Sequence, residues 1–181
     1  MKGVGWPRWG RKMQGAGLAS AGLPRIDGRC ARGRRLAIPV GAGLMLAVAF
    51  NVHADCLDDA AARYALDPHL VRAIAWHESG MRATAVNRNS DGSYDIGLMQ
   101  INSSWQPTLA RAGISMQSLW DPCVNAYVGT WILSSNIARF GPTWKAVGAY
   151  NATSPAKQLR YANQIYARWQ SLQRAGVSPR P

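Results

Sequence analysis

Apolar residues recur at helical spacing through most of the chain after residue 55, which predicts a mainly α-helical domain. Three of the predicted helices share a start signal, a capping residue followed by Pro at the first helical position: Asp67-Pro68, Asp121-Pro122 and Ser154-Pro155. The predicted helices cover residues 57–65, 68–79, 122–139, 143–150 and 155–174. Residues 87–101 depart from this pattern, because polar residues surround the turn signal Asp91-Gly92, and there we predict a small β-hairpin.

The first 54 residues have a different character. An apolar run over 36–50 follows a basic flank and precedes Val52-His53-Ala54, a pattern typical of a secretory signal peptide cleaved after Ala54. An uncleaved anchor is the less favoured alternative, since the run is shorter than the roughly 20 residues of a membrane-spanning helix. We therefore expect an extension and signal peptide over 1–54, a domain over 55–175, a flexible tail over 176–181, and a periplasmic or secreted protein.

The formal net charge of +12 would by itself suggest a nucleic-acid partner. However, residues 1–35 hold nine basic residues and one acidic residue, and so carry eight of these charges. The basic residues beyond this leader are scattered along the chain. The sequence therefore argues against nucleic acid, and it predicts membrane contact only through the signal segment.

Cys56 and Cys123 are the only cysteines beyond the predicted cleavage site. In an oxidising compartment such a pair most simply forms one disulfide. Two buried thiols remain the alternative. A metal site is not expected, because the chain has no CxxC motif and His69 and His77 are poorly spaced for shared coordination.

Glu78 is the only glutamate in the sequence. In the helix predicted over 68–79 it lies on the same face as Val71, Ile74 and Ala75. A carboxyl group held against apolar side chains favours its neutral form, so its pKa should rise. A raised pKa suits an acid that donates a proton near neutral pH. From the residues alone, a helix-end residue without a catalytic role fits equally well.

Three short motifs resolve this choice: Trp76-His77-Glu78-Ser79-Gly80, Gly97-Leu98-Met99-Gln100-Ile101-Asn102 and Ala149-Tyr150-Asn151. In this order and spacing the chain resembles the lytic transglycosylases of the soluble-transglycosylase (SLT), lysozyme-like family, over about residues 56–172. It is most similar to the small transglycosylases that accompany type III secretion, conjugation and pilus systems. The resemblance implies a mainly α, lysozyme-like (α+β) fold and peptidoglycan glycan strands as substrate. It also implies no cofactor or metal, and components of a secretion or pilus apparatus as partners.

The same resemblance implies roles for individual residues. Glu78 matches the family's catalytic acid and base, and Ser79 matches a serine that helps to orient that region. Tyr150 matches the tyrosine whose hydroxyl reaches the catalytic glutamate, and Asn151 matches the adjacent substrate-contacting position.

The second motif divides into residues that face the sugar and residues that face the core. Met99 and Gln100 match the sugar-facing positions, Gln100 as a hydrogen-bonding group. Leu98 and Ile101 alternate with them and are expected in the core, while Gly97 should allow close backbone approach at the cleft floor.

Residues 87–103 are also similar to the hairpin segment of animal (c-type) lysozymes, and Asp95 falls on the position of their second active-site carboxylate. We expect Asp95 to face the cleft as a polar partner. The alternative is that it stabilises the hairpin by accepting backbone hydrogen bonds. Among the six tryptophans after residue 55, most are expected in the core, and Trp105, in a predicted loop, is the best cleft candidate.

Two reaction routes remain open. In the transglycosylase route, the C6 hydroxyl of the muramic sugar attacks intramolecularly and leaves a 1,6-anhydro end. In the hydrolase route, Asp95 is the nucleophile or charge stabiliser and water completes the reaction with retention. The Ala149-Tyr150-Asn151 motif and the absence of a four-disulfide framework favour the first route. A rival from another class is a catalytically idle wall-binding module.

Overall fold

The computed structural model describes residues 52–175. The predicted leader, the apolar run over 36–50 and the predicted tail lie outside these residues. Within them no helix is both long enough and apolar enough to cross a membrane.

The described chain is mainly helical, with one small antiparallel sheet. The elements are α1 (Val52–Arg63), α2 (Pro68–Ser79), β1 (Val86–Arg88), β2 (Tyr94–Ile96), β3 (Ile101–Asn102), α3 (Gln106–Arg111), α4 (Pro122–Phe140), α5 (Trp144–Gly148) and α6 (Pro155–Arg174). Short 3-10 helices, Ser103–Trp105 and Gln117–Trp120, stand on either side of α3. The predicted fold class, mainly α with a small hairpin, is confirmed.

The predicted Asp-Pro helix starts are present. The Asp67 carboxylate accepts a hydrogen bond from the backbone N–H of His69, and Asp121 accepts two, from Cys123 and Val124. Ser154 is the exception: it stands at the N-cap of α6 with extended backbone, but its hydroxyl makes no capping hydrogen bond.

Several boundaries differ from the prediction. Helix α1 begins at Val52 and runs across the predicted cleavage site, because no Pro or Gly interrupts this stretch. Helix α5 ends at Gly148, two residues short of the predicted end, where its backbone packs against that of Gln158 in α6. Trp105 lies in a 3-10 turn leading into α3 rather than in a loop.

The core lies where α1, α2, α4 and α6 pack together. Helix α2 packs against α6, and α1 packs against α4. Cys56 and Cys123 are joined by a disulfide that connects α1 to the first turn of α4, with Cα atoms 5.0 Å apart. Helix α2 carries Glu78 in its last turn, so its packing against α1 and α6 helps to fix the position of Glu78.

The sheet has the strand order β1-β2-β3, one strand more than the predicted hairpin. Asn87 pairs with Asp95 across β1 and β2, and Asp95 pairs with Asn102 across β2 and β3. Directly paired residues point to the same face of a sheet. The register therefore places three polar side chains in one row, with Asp95 in the centre.

Candidate active site

A cavity of about 590 Å³ opens between the sheet and the helical layer. Its wall on the helical side includes Glu78 and Tyr150. Its wall on the sheet side includes Asp95, and Gln100 also lines it. We refer to this cavity as the cleft.

Glu78 lies in the last turn of α2, partly buried at the cleft wall. Burial raises the pKa of Glu78 from 4.5 to about 7, and the negative charge of Asp95 adds to this rise. A hydrogen bond from Tyr161 opposes it, because that bond stabilises the carboxylate. Near neutral pH, Glu78 can therefore either hold a proton or release it, which is what an acid that later acts as a base requires.

Tyr161 is the hydroxyl partner of Glu78. It lies in α6, is 3% exposed, and its hydroxyl donates to Glu78 Oε1. The rings of Tyr161 and His77 are perpendicular with centroids 5.1 Å apart, and the Tyr150 ring stacks beside that of Tyr161. Burial raises the pKa of Tyr161 well above its usual value, so the hydroxyl keeps its proton and stays a donor.

Asp95 is held by side-chain amides. Asn102 Nδ2 donates to Asp95 Oδ1 at 2.8 Å, and Asn89 and Asn87 donate to Oδ2 at 3.1 and 3.4 Å. All four residues line the cleft. Both alternatives for Asp95 are thus partly realised, since it faces the cleft and also ties the strands together. The donors, however, are side-chain amides rather than backbone N–H groups.

Ser79 connects α2 to the turn that follows β2. Its hydroxyl contacts the carbonyl oxygens of Leu98 at 2.7 Å and Ala75 at 3.2 Å, and it accepts from the backbone N–H of Arg82 at 3.0 Å. Because Ser79 directly follows Glu78, these bonds fix the end of α2 relative to the cleft floor. Ser79 itself is buried and does not line the cleft.

Asn125 in α4 also holds the turn that follows β2. Its amide donates to the carbonyl oxygens of Ile96 and Leu119 and accepts from the backbone N–H of Met99. Gly97 adopts a φ of 77°, and a Cβ at this position would lie 2.3 Å from Asn125 Nδ2. The glycine is therefore required both by the backbone conformation and by the approach of Asn125.

Gln100 ends this turn with a φ of 49° and lies partly buried at the cleft. Its amide nitrogen donates to the carbonyl oxygens of Gly97 and Ala85. These two bonds orient the amide, which leaves its oxygen as the atom that can accept a hydrogen bond from a sugar hydroxyl.

Among the described residues, no group of three or more His, Cys, Asp or Glu is placed to hold a metal ion. The polar groups that line the cleft include two carboxylates, several amides and a guanidinium, which suit hydrogen bonding to a carbohydrate.

A family model for the transglycosylase SLT domain matches residues 55–169 of the chain. The chain belongs to the SLT transglycosylase family. It is a glycan-cleaving enzyme of the peptidoglycan lytic transglycosylase class, as the three motifs predicted.

Relatives of this transglycosylase include invasion protein IagB of Salmonella typhimurium, 44% identical over 124 residues that cover 66% of this chain and 78% of IagB. Protein IpgF of Shigella flexneri is 43% identical over 121 residues, 64% of this chain and 80% of IpgF. The solved structure of an inactive mutant of the lytic transglycosylase Slt from Pseudomonas aeruginosa is similar with a TM-score of 0.55 at 22% identity. That match covers 68% of this chain and 24% of Slt, and it supports the lysozyme-like fold.

The structure of this transglycosylase corrects the prediction for Met99. Met99 is 0% exposed, so it faces the core rather than the sugar. Its sulphur lies beside Gly129 and Thr130 of α4. The predicted alternation failed because residues 97–100 form a turn rather than an extended strand, so neighbouring side chains do not point to opposite faces.

The predicted contact of Tyr150 with Glu78 is also wrong. The Tyr150 hydroxyl donates to the carbonyl oxygen of Met99 at 2.9 Å, and it is the Tyr161 hydroxyl that donates to Glu78. Tyr150 still lines the cleft, as does the exposed Asn151. Tyr161 was not predicted as a site residue. It is buried on α6 four residues before the buried Ile165, and this spacing is that of any core aromatic residue in a helix.

Trp105, the favoured cleft tryptophan, lines the cleft of this transglycosylase and contacts Trp131 edge to face at 5.5 Å. Trp169 is buried, in keeping with a core role, whereas Trp76 and Trp120 are 45% and 39% exposed. Arg82, which sequence analysis did not single out, also lines the cleft.

Proposed function

We propose that this enzyme cleaves the β-1,4 bond between N-acetylmuramic acid and N-acetylglucosamine in peptidoglycan and forms 1,6-anhydro ends, with Glu78 as the catalytic acid and base. The observation that carries the proposal is the partly buried Glu78 carboxyl at the cleft wall, with a pKa raised to about 7.

In the first step, protonated Glu78 gives its proton to the glycosidic oxygen, and the bond to C1 of the muramic sugar breaks. Positive charge develops at C1. In the second step, the C6 hydroxyl of the same sugar attacks C1, and the Glu78 carboxylate takes the hydroxyl proton. The enzyme returns to its starting state without water. Because the nucleophile belongs to the substrate, its attack is intramolecular and needs no protein nucleophile.

Asp95 is the electrostatic partner in this scheme. Both of its oxygens accept hydrogen bonds from asparagine amides. These bonds hold the carboxylate at the cleft and occupy lone pairs that a nucleophile would need, whereas its negative charge remains to stabilise positive charge at C1. Gln100, Asn151 and Trp105 are the proposed sugar-contacting residues, because each lines the cleft. Ser79 and Tyr161 position Glu78.

The proposed setting is the periplasm or the cell exterior, where the enzyme opens the wall locally for a secretion or pilus apparatus. Two features support this proposal: the sequence pattern over residues 36–54, which is typical of a secretory signal peptide, and the relatedness to a protein named as an invasion protein.

The decisive experiment compares wild type with Glu78→Gln on purified peptidoglycan. The variant keeps the size of the side chain but has no acidic proton to transfer, so we expect a rate loss of at least about 100-fold with wall binding retained. Asp91→Asn, which changes an exposed carboxylate outside the cleft, is the matched control and should remain active. A Glu78→Gln variant that clears walls like wild type would remove Glu78 from the mechanism.

Mass spectrometry of the products decides the route. We expect ends lighter by one water than reducing ends, and Asp95→Asn should slow the reaction without changing the product. The hydrolase is the second candidate, supported by the position of Asp95 in the cleft. Predominantly reducing ends that disappear in Asp95→Asn would establish it.

A further inference from the structure

We propose that Arg82 binds a carboxylate carried by the muramic acid residues of the glycan, and that it thereby selects wall glycan over neutral glycans with the same backbone. This inference rests on the proposed function, since it concerns the substrate of the same cleft.

Arg82 is positioned by the residue next to the proposed catalytic acid. It follows the end of α2, where Gly80 caps the helix with a φ of 61°. Its backbone N–H donates to Ser79 Oγ at 3.0 Å, and its side-chain Nε donates to the Ser79 carbonyl oxygen at 2.9 Å. The first bond holds the backbone of Arg82, and the second holds the Nε edge of its exposed guanidinium where it lines the cleft.

The outer edge of this guanidinium is available. In the part of the chain that the structure describes, no hydrogen bond or ion pair engages the two terminal nitrogens of Arg82. The carboxylates of the same cleft have other partners, since Tyr161 donates to Glu78 and three asparagines donate to Asp95. The protein therefore presents an oriented pair of donors without an acceptor.

Arg82 is also the only cation among the described residues that line the cleft. The remaining lining groups are amides, aromatic rings, short apolar side chains and the two carboxylates. A planar guanidinium held on one edge matches the two oxygens of a carboxylate on the other. Hydroxyl and acetamido groups, which every sugar of the strand offers, need no such charge.

Peptidoglycan supplies carboxylates that such a guanidinium can bind. Muramic acid differs from glucosamine by a lactyl ether, whose carboxyl group is either free or linked to a stem peptide that carries carboxylates of its own. Both sources put a negative charge beside the sugar ring, and a glycan of N-acetylglucosamine alone has neither. The shared chemistry is a carboxylate attached to the muramic residue.

The test measures binding, with the Glu78→Gln protein as background so that ligands remain intact. Four tetrasaccharides serve as probes: one of N-acetylglucosamine alone, one with free lactyl carboxylates, one with lactyl groups capped as neutral methylamides, and one with short stem peptides ending in free carboxylates. Each is titrated against protein with Arg82 intact, with Arg82→Gln and with Arg82→Lys. Arg88→Gln is the matched control, because Arg88 is exposed on β1 and does not line the cleft.

We expect Arg82→Gln to weaken binding about 5- to 10-fold for at least one carboxylate-bearing probe and to leave the two neutral probes unchanged. Arg82→Lys should weaken binding of the same probe less than Arg82→Gln does, because it keeps the charge but loses the paired donors. A loss confined to the free lactyl probe identifies that group as the ligand, and a loss confined to the peptide-bearing probe identifies the stem.

Equal losses on charged and neutral probes would overturn the proposal, since they would show that Arg82 only maintains the shape of the cleft. Unchanged binding of both charged probes would overturn it as well. The readout does not depend on cleavage, so an inactive wild-type enzyme would refute the proposed function while leaving this measurement intact.

Discussion

Whether Glu78 holds its proton depends on three effects that do not all act in the same direction. Burial of the carboxyl and the charge of Asp95 favour the protonated acid, whereas the Tyr161 hydroxyl favours the carboxylate. The balance gives a pKa of about 7. If the acid form starts the reaction, activity should be constant below this pH and fall about tenfold per pH unit above it.

Replacing Tyr161 by Phe tests this balance. The change removes the one contribution that lowers the pKa of Glu78, so the alkaline limb of the profile of kcat/KM against pH should move to higher pH. The maximum rate should fall about tenfold, because the carboxyl loses the bond that orients it. The measurement is initial rate on soluble glycan between pH 5 and pH 9.

Tyr150→Phe is the control for this shift. Its hydroxyl bonds to the Met99 carbonyl oxygen, so its loss should cost stability, about 1 kcal/mol, without moving the alkaline limb. If the alkaline limb moves in Tyr150→Phe and stays in place in Tyr161→Phe, the roles of the two tyrosines are exchanged. Tyr150 would then be the partner of Glu78, as the sequence predicted.

Among the structural elements, the turn over 97–100 connects the sheet to both α2 and α4. Ser79 contacts it from α2, and Asn125 contacts it from α4. The turn carries Gln100 into the cleft and Met99 into the core. The position of the cleft floor therefore depends on how closely Asn125 approaches Gly97.

Gly97→Ala should destabilise the protein strongly. The new Cβ would collide with the Asn125 amide, which holds three hydrogen bonds, so we expect a loss of about 3 kcal/mol or more in the free energy of unfolding. Gly92→Ala is the matched control: it has a similar φ of 84° but no atom within 4 Å of its Cβ. It should cost only about 1–2 kcal/mol. Equal losses in urea unfolding would show that the Asn125 contact is unimportant.

The same elements show what sequence could and could not supply. Asp67 and Asp121 marked helix starts because capping is a local interaction. The partner of Glu78 could not be found this way, because Tyr161 is 83 residues away and only the packing of α6 against α2 brings it close. Asn125 was missed because a polar residue buried in a helix carries no local signature.

At the scale of the whole molecule, the disulfide is the one covalent link between distant parts of the described chain. It joins α1 to the start of α4 across 67 residues, and that interval contains α2 with Glu78, the whole sheet and α3. Neither cysteine lines the cleft. Its effect should therefore be on folding stability rather than on the chemistry of the cleft.

Replacing both cysteines by alanine should lower the free energy of unfolding by about 4 kcal/mol, because the unfolded chain regains the freedom of a loop of this length. Below its new melting temperature the variant should keep the kcat of wild type, since Glu78 and Tyr161 are held by helix packing. Reduced wild type, unfolded in urea with excess dithiothreitol, provides the control and should match the variant. If reductant leaves the urea midpoint of wild type unchanged, the two thiols are not bonded in the protein, and buried free cysteines become the correct description.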